Sequence, residues 1–208
     1  MNNNSFIFKY IPQNIEGIVG NTSNKIFINN YIKTKSKENI IFYGPCGVGK
    51  TLTYNIILKT FNTNNLVINL SDVRGIEIVN TKITSFLETK HKGYKTVVLD
   101  EVEHLTNKAQ IILKELIDKY NNNTRFIFIC NNPDNINKYI KIQFKLLKYD
   151  KINNLDIKNY LNKICKHENM NPTECGIDSL ILISDGDIRL ILNTLDYISI
   201  LYSKFNKQ

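Results

Sequence analysis

Gly44-Pro45-Cys46-Gly47-Val48-Gly49-Lys50-Thr51 fits the pattern G-x-x-x-x-G-K-[ST] at every fixed position. Glycines let consecutive backbone N–H groups close around a polyphosphate, an approach that a Cβ would obstruct. Lys50 can then reach the β and γ phosphates, and the Thr51 hydroxyl suits a Mg²⁺ ligand. The flanks agree with this reading. Asn39-Ile40-Ile41-Phe42-Tyr43 is a short apolar, strand-like run, and Leu52 to Phe61 has helical character, so the loop would hold phosphate at a helix N-terminus. A chance match is the competing reading, and the strand–loop–helix setting argues against it.

Working outward, Leu66-Val67-Ile68-Asn69-Leu70 reads as a second strand, and Ile76 to Thr89 as an amphipathic helix. Thr96-Val97-Val98-Leu99-Asp100-Glu101 is a buried-type strand that ends in two acids. Beside a phosphate loop, Asp100 would hold Mg²⁺ through water and Glu101 would orient and polarise an attacking water. A solvated pair of loop acids is the alternative. Lys108 to Tyr120 reads as a helix, and Arg125 to Cys130 as another buried strand, ending in Asn131-Asn132-Pro133. The Asn131 amide could bond a γ-phosphate or the lytic water; alone, Asn before Pro reads as a turn.

Strands thus alternate with helices through residue 149, which predicts a parallel α/β sheet with its ligand site beyond the carboxyl ends of the strands. Ile140 to Lys148 should pass from a short helix into the last strand. Beyond Asp150 the pattern is helical: Asn154 to Glu168, Asn171 to Ser184 and Asp187 to Tyr202, the last with Asp185 expected as its N-cap. Towards the N-terminus, residues 1–5 are expected to be a disordered tip and Phe6 to Gly20 to be irregular, with a helix over Asn24 to Thr34. The expected division is an α/β domain over 1–149 and a helical unit over 150–208.

Composition bounds the function. The 208 residues carry a formal charge of +8, compatible with an acidic partner such as nucleic acid. Asn, Ile and Lys abound throughout, so coding bias accounts for much of the lysine. Arginine says more, because only Arg74, Arg125 and Arg189 occur, and its planar fork is not replaceable by lysine. No apolar run of about eighteen residues and no signal-like N-terminus is present, which predicts a soluble, intracellular, membrane-free chain. Cys46, Cys130, Cys165 and Cys175 show no C-x-x-C spacing, so neither a zinc site nor a disulfide framework is expected.

The order of these blocks resembles the small subunits of the replication factor C type AAA+ clamp loader. The resemblance rests on Lys9-Tyr10-Ile11-Pro12 with Ile18-Val19-Gly20, the phosphate loop, and Asn69-Leu70-Ser71-Asp72-Val73-Arg74-Gly75-Ile76. It continues through Leu99-Asp100-Glu101, Thr124-Arg125-Phe126 with Cys130-Asn131, and Gly186-Asp187-Ile188-Arg189. It implies an AAA+ P-loop NTPase with a parallel sheet flanked by helices and a small three-helix lid. It implies ATP and Mg²⁺ as cofactors, with Ile7, Pro12, Val19 and Gly20 bordering the adenine. Gly44 to Thr51 and Leu52 would cradle the phosphates, Thr51 and Asp100 would serve the metal, and Asn131 and Arg189 would sense the γ-phosphate. The implied activity is ATP hydrolysis coupled to loading a sliding clamp onto primer–template DNA. Other clamp-loader subunits, the clamp and DNA would be partners, at the nucleus or another site of DNA replication.

The departures bear on that expectation. Where the family has Ser-Arg-Cys, whose arginine reaches a neighbour's ATP, this chain has Phe144-Lys145-Leu146. Asn80 and Thr84 replace basic residues of the DNA-facing helix, with Lys82 nearby, and direct DNA contact is left open. Ile11 replaces an arginine, as does Lys114 or Glu115 in the helix after the acids. The family continues into a helical collar, whereas this sequence stops at Gln208 after the lid, so ring contacts would rest on the ATPase domain. The alternative function is a degenerate nucleotide-binding subunit with little turnover. A small nucleotide kinase is disfavoured by three arginines, and a branched-DNA motor by the clamp-loader-like blocks.

Overall fold

Apolar side chains point to both faces of each central strand, which is why the sheet is parallel and lies between helices. A computed structural model describes residues 5–205 apart from 72–76, 78 and 92. In chain order its elements are α1 (Phe6–Lys9), α2 (Thr22–Lys33), β1 (Ile40–Tyr43), α3 (Lys50–Phe61) and β2 (Asn64–Asn69). Next come α4 (Thr84–Glu88), β3 (Lys95–Asp100), α5 (Asn107–Tyr120), β4 (Thr124–Cys130), α6 (Lys138–Lys141) and β5 (Lys145–Lys148). Three helices follow, α7 (Asn154–His167), α8 (Glu174–Ser184) and α9 (Ile188–Phe205).

The strands form one parallel sheet in the order β2-β3-β4-β1-β5. Alternation divides the core between its faces. Ile40 and Phe42 of β1 join Val98, Ile127 and Ile129 on one face, with α3 and the C-terminal helices. Ile41 joins Val97, Leu99, Phe126 and Phe128 on the other, with α5. The order sets β3, β4 and β1 side by side, so Asp100, Asn131 and the loop after Tyr43 emerge at one edge.

Beyond β5, Tyr149 fastens the chain to the core. Its N–H donates to the Tyr43 carbonyl at 2.7 Å, and its buried hydroxyl donates to Thr53 Oγ1 at 2.9 Å. Burial pushes the Tyr149 phenol up to about 12. Gly44, at φ 140°, passes the Tyr149 carbonyl too closely to admit a Cβ.

Four expectations change. Phe6 to Lys9 is a short helix, not irregular chain, because Phe6 is buried in the first-face core and α1 packs against α9. The expected helix over 76–89 is interrupted: residues 79–83 form a widened π turn before α4. There the Thr84 hydroxyl donates to the Val79 carbonyl, five residues back, at 3.0 Å. Helix α8 starts at Glu174, where the Thr173 hydroxyl accepts from Gly176 N. The cap of α9 is Asp187, not Asp185: Asp187 Oδ1 accepts from the N–H groups of Arg189 and Leu190 at 2.8 and 3.1 Å. Gly186 at φ 86° makes the turn, and Asp185 instead terminates α8 and pairs with Lys151 at 2.5 Å. The Asp72-Val73-Arg74-Gly75-Ile76 block and residues 1–4 lie outside the described residues.

Candidate functional site

The loop between β1 and α3 turns on glycines that no other residue could replace without strain. Gly47 has φ 69° and Gly49 φ 99°, in the left-handed region that side chains avoid. Their bare α-carbons are also contact points: a Cβ on Gly47 would overlap Asp187, and one on Gly49 would come within 2.8 Å of Ile18. The loop is thereby closed against the C-terminal helices on one side and the N-terminal segment on the other.

Lys50, the first residue of α3, is 7% exposed. Its ammonium donates to the carbonyls of Gly44 and Pro45 at 2.6 Å each and reaches Asn131 Oδ1 at 3.4 Å. Burial lowers its pKa, and the nearby Asp100 carboxylate opposes that shift. Asp100 shows the mirror image: burial raises it, while the Glu101 N–H, donating at 3.0 Å, and the Lys50 charge lower it. Desolvation outweighs mutual attraction at both groups, the usual balance for charges held in a low-dielectric site. Glu101 takes a left-handed backbone (φ 57°) at the end of β3, with Oε2 3.6 Å from His104 Nε2.

These groups line a cavity of about 480 Å³, a size that suits a small-molecule ligand. Cys46, Gly47, Val48, Gly49, Lys50, Thr51 and Leu52 form its floor, with Asp100, Glu101 and Asn131 at one end and Arg189 entering from α9. Ile7, Pro12 and Val19 add apolar lining. Three expected residues do not line it. Gly20 backs the wall, since a Cβ there would meet Ile152 at 3.1 Å, and Gly44 and Pro45 instead turn their carbonyls to Lys50.

The sequence reading missed Tyr10, Asn69, Ile152, Tyr160 and Leu192, all in the lining. Asn69 had a signal, since it ends β2 beside Asp100. Tyr10 and Tyr160 meet only through the fold: the Tyr160 hydroxyl donates to the Tyr10 carbonyl at 3.3 Å, and the Tyr10 hydroxyl bonds Glu168 at the end of α7. Lys9 adds an ion pair to Glu168 at 2.6 Å. Glu103 was also missed; its Oε1 accepts from the Asn131 N–H at 2.8 Å.

Two residues singled out by sequence lie elsewhere. Arg125 is the second residue of β4, five residues before Cys130 and so roughly 16 Å from the site end of the strand. It is 3% exposed, donates to the Ser36 carbonyl and stacks 4.1 Å from the Phe61 ring centroid. Lys145 opens edge strand β5, paired with Ile40, at the sheet end remote from the cavity; it is exposed and lies 6.0 Å over Phe27. Cys130 and Cys165 are buried thiols, and burial pushes Cys130 up to about 12.

A glycine-shaped loop at the N-terminus of α3, a buried ammonium, and a carboxylate and a hydroxyl lining the same cavity fit a nucleoside triphosphate with a hydrated divalent cation. Among the described residues no group of three or more His, Cys, Asp or Glu side chains could hold a metal by itself. Thr51 and Asp100 therefore suit a metal whose other ligands are water and phosphate, as with Mg²⁺. No helix among the described residues is long and apolar enough to cross a membrane.

The loop after β1, the acids ending β3 one strand removed in the same parallel sheet, and the helices beyond define a P-loop nucleotide-binding α/β protein. The profile of the AAA family, the ATPase family associated with various cellular activities, matches residues 40–147, just over half of the sequence, and the chain belongs to that family. It is similar to the replication factor C small subunit of Methanococcus vannielii, at 33% identity over 91% of this chain and 63% of that protein. The replication factor C small subunit of Halobacterium salinarum is 30% identical over 98% of this chain and 65% of its own length. The chain thus spans less than two thirds of the relatives it matches. Among solved structures, the RuvB Holliday junction branch migration motor of Thermotoga maritima superposes with a TM-score of 0.73 over 90% of this chain and 64% of that one. At 15% identity that likeness concerns the fold.

Proposed function

We propose that this chain binds and hydrolyses Mg²⁺–ATP as a clamp-loader-type subunit, with residues 1–149 as its ATPase domain and 150–208 as its lid. One observation carries the reading: Lys50, Thr51, Asp100, Glu101, Asn131 and Arg189, from five separate elements or loops, line a single cavity. Similarity to replication factor C small subunits over nine tenths of the chain supplies the biological setting.

In this reading the backbone of Gly47 to Thr51 and the Lys50 ammonium bind the phosphates at the N-terminus of α3. Thr51 and Asp100 would hold Mg²⁺, which when bound neutralises charge developing on the transferred phosphoryl group. Glu101 orients the attacking water and accepts its proton. Asn131 and Arg189 approach the terminal phosphate from β4 and α9, so the lid closes over the nucleotide and excludes water. The apolar wall of Ile7, Pro12 and Val19 takes the base. Other loader subunits, a sliding clamp and primer–template DNA are the proposed partners, at a site of DNA replication.

Calorimetric titration with Mg²⁺–ATP tests the core of this proposal. Binding by the wild type and its loss in Lys50→Ala are expected; equal binding by both would remove the assignment. A second reading is a nucleotide-binding subunit of such a complex with negligible turnover. Multiple-turnover hydrolysis that falls in Glu101→Gln would exclude it.

A further inference from the structure

We infer that Glu103 is a positioning residue that sets Asn131 for contact with the terminal phosphate, acting through the bond from its carboxylate to the Asn131 peptide N–H. The inference rests on the ATPase reading above and goes beyond the motifs that led to it.

The β3–β4 ladder ends at Leu99 and Phe128, while β4 runs on with β1 as far as the Tyr43–Cys130 pair. Past that point Asn131 has left the sheet, yet its amide must be held to a fraction of an ångström if it is to read a phosphate oxygen. Glu103 spans the gap. The left-handed Glu101 starts a 3₁₀ turn closed by bonds from His104 N to Glu101 O (3.0 Å) and from Leu105 N to Val102 O (3.1 Å). Val102 is buried beneath it, which turns Glu103 towards β4. Glu103 Oε1 accepts the Asn131 N–H at 2.8 Å, while the Asn131 side-chain oxygen lies 3.4 Å from Lys50 Nζ. The residue is thus held from β3 through its backbone and from the phosphate loop through its amide.

The other carboxylate oxygen, Oε2, is buried and makes no hydrogen bond within the protein. The Glu103 carboxylate also bears electrostatically on both Lys50 and Asp100.

The test compares dissociation constants for Mg²⁺–ATP and Mg²⁺–ADP in the wild type, Glu103→Ala, Glu103→Gln, Asn131→Ala and the Glu103→Ala/Asn131→Ala double variant. Misplacement of a site group by about 1 Å can cost as much as 100-fold, so a preference for ATP of about 10-fold in the wild type should drop to about 2-fold in Glu103→Ala. Glu103→Gln, which keeps an acceptor for the Asn131 N–H, should retain it, and the double variant should match Asn131→Ala. Simple loosening of a loop would weaken both nucleotides together and leave the ratio unchanged. If Glu103→Ala does not fold, Glu103→Asp, one methylene too short to reach, serves in its place. An unchanged ratio in the short variant, independent effects in the double variant, or a wild-type ratio near one overturns the inference alone. A wild type that binds neither nucleotide overturns the ATPase reading with it.

Discussion

Gly47 packs directly against Asp187: a Cβ added to the loop glycine would fall 2.0 Å from the aspartate's Oδ1. The Ile188 N–H also donates to the Gly47 carbonyl at 3.3 Å. Position 47 is not one of the fixed glycines of the phosphate-loop pattern, so its requirement comes from this junction with α9 and from its φ of 69°. Gly47→Ala should cost about 1–3 kcal/mol from the left-handed backbone alone, a fall of roughly 2–12 °C in Tm for a chain of this size. It should also weaken Mg²⁺–ATP binding about 10-fold or more by displacing Arg189. Thermal melts and titration check both; a variant that melts and binds like the wild type would show that the junction is slack.

Lys50 and Asp100 predict an unusual pH response. The Lys50 ammonium has a folded pKa below its ordinary 10.5. Between the two values the unfolded chain holds the extra proton, so stability rises with pH across that window. Asp100 is raised above its ordinary 3.8, so between 3.8 and its folded value the folded chain holds the extra proton and stability falls as pH rises. Both signs oppose those of a salt bridge that stabilises. Lys50→Met and Asp100→Asn should therefore melt at or above the wild-type temperature without nucleotide. Each should lose the stabilisation by Mg²⁺–ATP, which for the wild type is about 2.7 kcal/mol at 100 times Kd. Melting curves at pH 4 to 10 decide it; a large loss of ligand-free stability in either variant would contradict the assigned balance.

What was legible in the sequence is what chemistry or periodicity demands locally. A phosphate loop needs its glycines and lysine consecutively, and a strand buried on both faces needs an unbroken apolar run, so β1, β3, β4 and Asp100 could be placed directly. Glu103 could not, because its partner is a backbone N–H twenty-eight residues away, just past the end of another strand. Tyr10 and Tyr160 were hidden for the same reason, being 150 residues apart. Asp187 was passed over as a cap because Asp185 and Asp187 have equal intrinsic preference; the left-handed Gly186 between them decides. The widened turn at 79–83 follows from a threonine hydroxyl competing for a helix carbonyl, which apolar spacing does not encode.

Arg125 illustrates how rarity misleads about place. Its guanidinium is held by the Ser36 carbonyl and the rings of Tyr31, Phe61 and Tyr94, and burial lowers its pKa. Nε donates to Ser36 at 3.0 Å, and a second nitrogen shares that acceptor. Arg125→Lys loses the planar stack and leaves a charge in the same pocket, and a cost of about 3–5 kcal/mol is expected for an uncompensated buried charge. Nucleotide affinity of the folded fraction should stay within about 2-fold, since the site lies at the other end of β4. Urea unfolding and ATP titration separate the two; reduced affinity with unchanged stability would place Arg125 in the functional machinery instead.

Lys145 carries the remaining prediction, and it concerns a neighbour. Its exposed position at the start of β5, opposite the phosphate-loop end of the sheet, removes it from its own cavity, so any role it has in the proposed complex lies outside its own site. In the resembled family that position is an arginine, and such a residue contributes about 10³ to 10⁵ in turnover. A lysine offers the charge without the paired N–H geometry. Lys145→Arg should therefore raise the turnover of an adjacent subunit by about 10-fold or more while leaving ATP affinity at this chain's own site unchanged. The measurement is steady-state hydrolysis by a complex in which this chain carries Lys50→Ala, so that only its neighbours' sites are counted. Turnover that is indifferent to lysine, arginine or alanine at 145 would take the residue out of the intersubunit site and shift the weight to the reading in which this chain binds nucleotide without driving hydrolysis elsewhere.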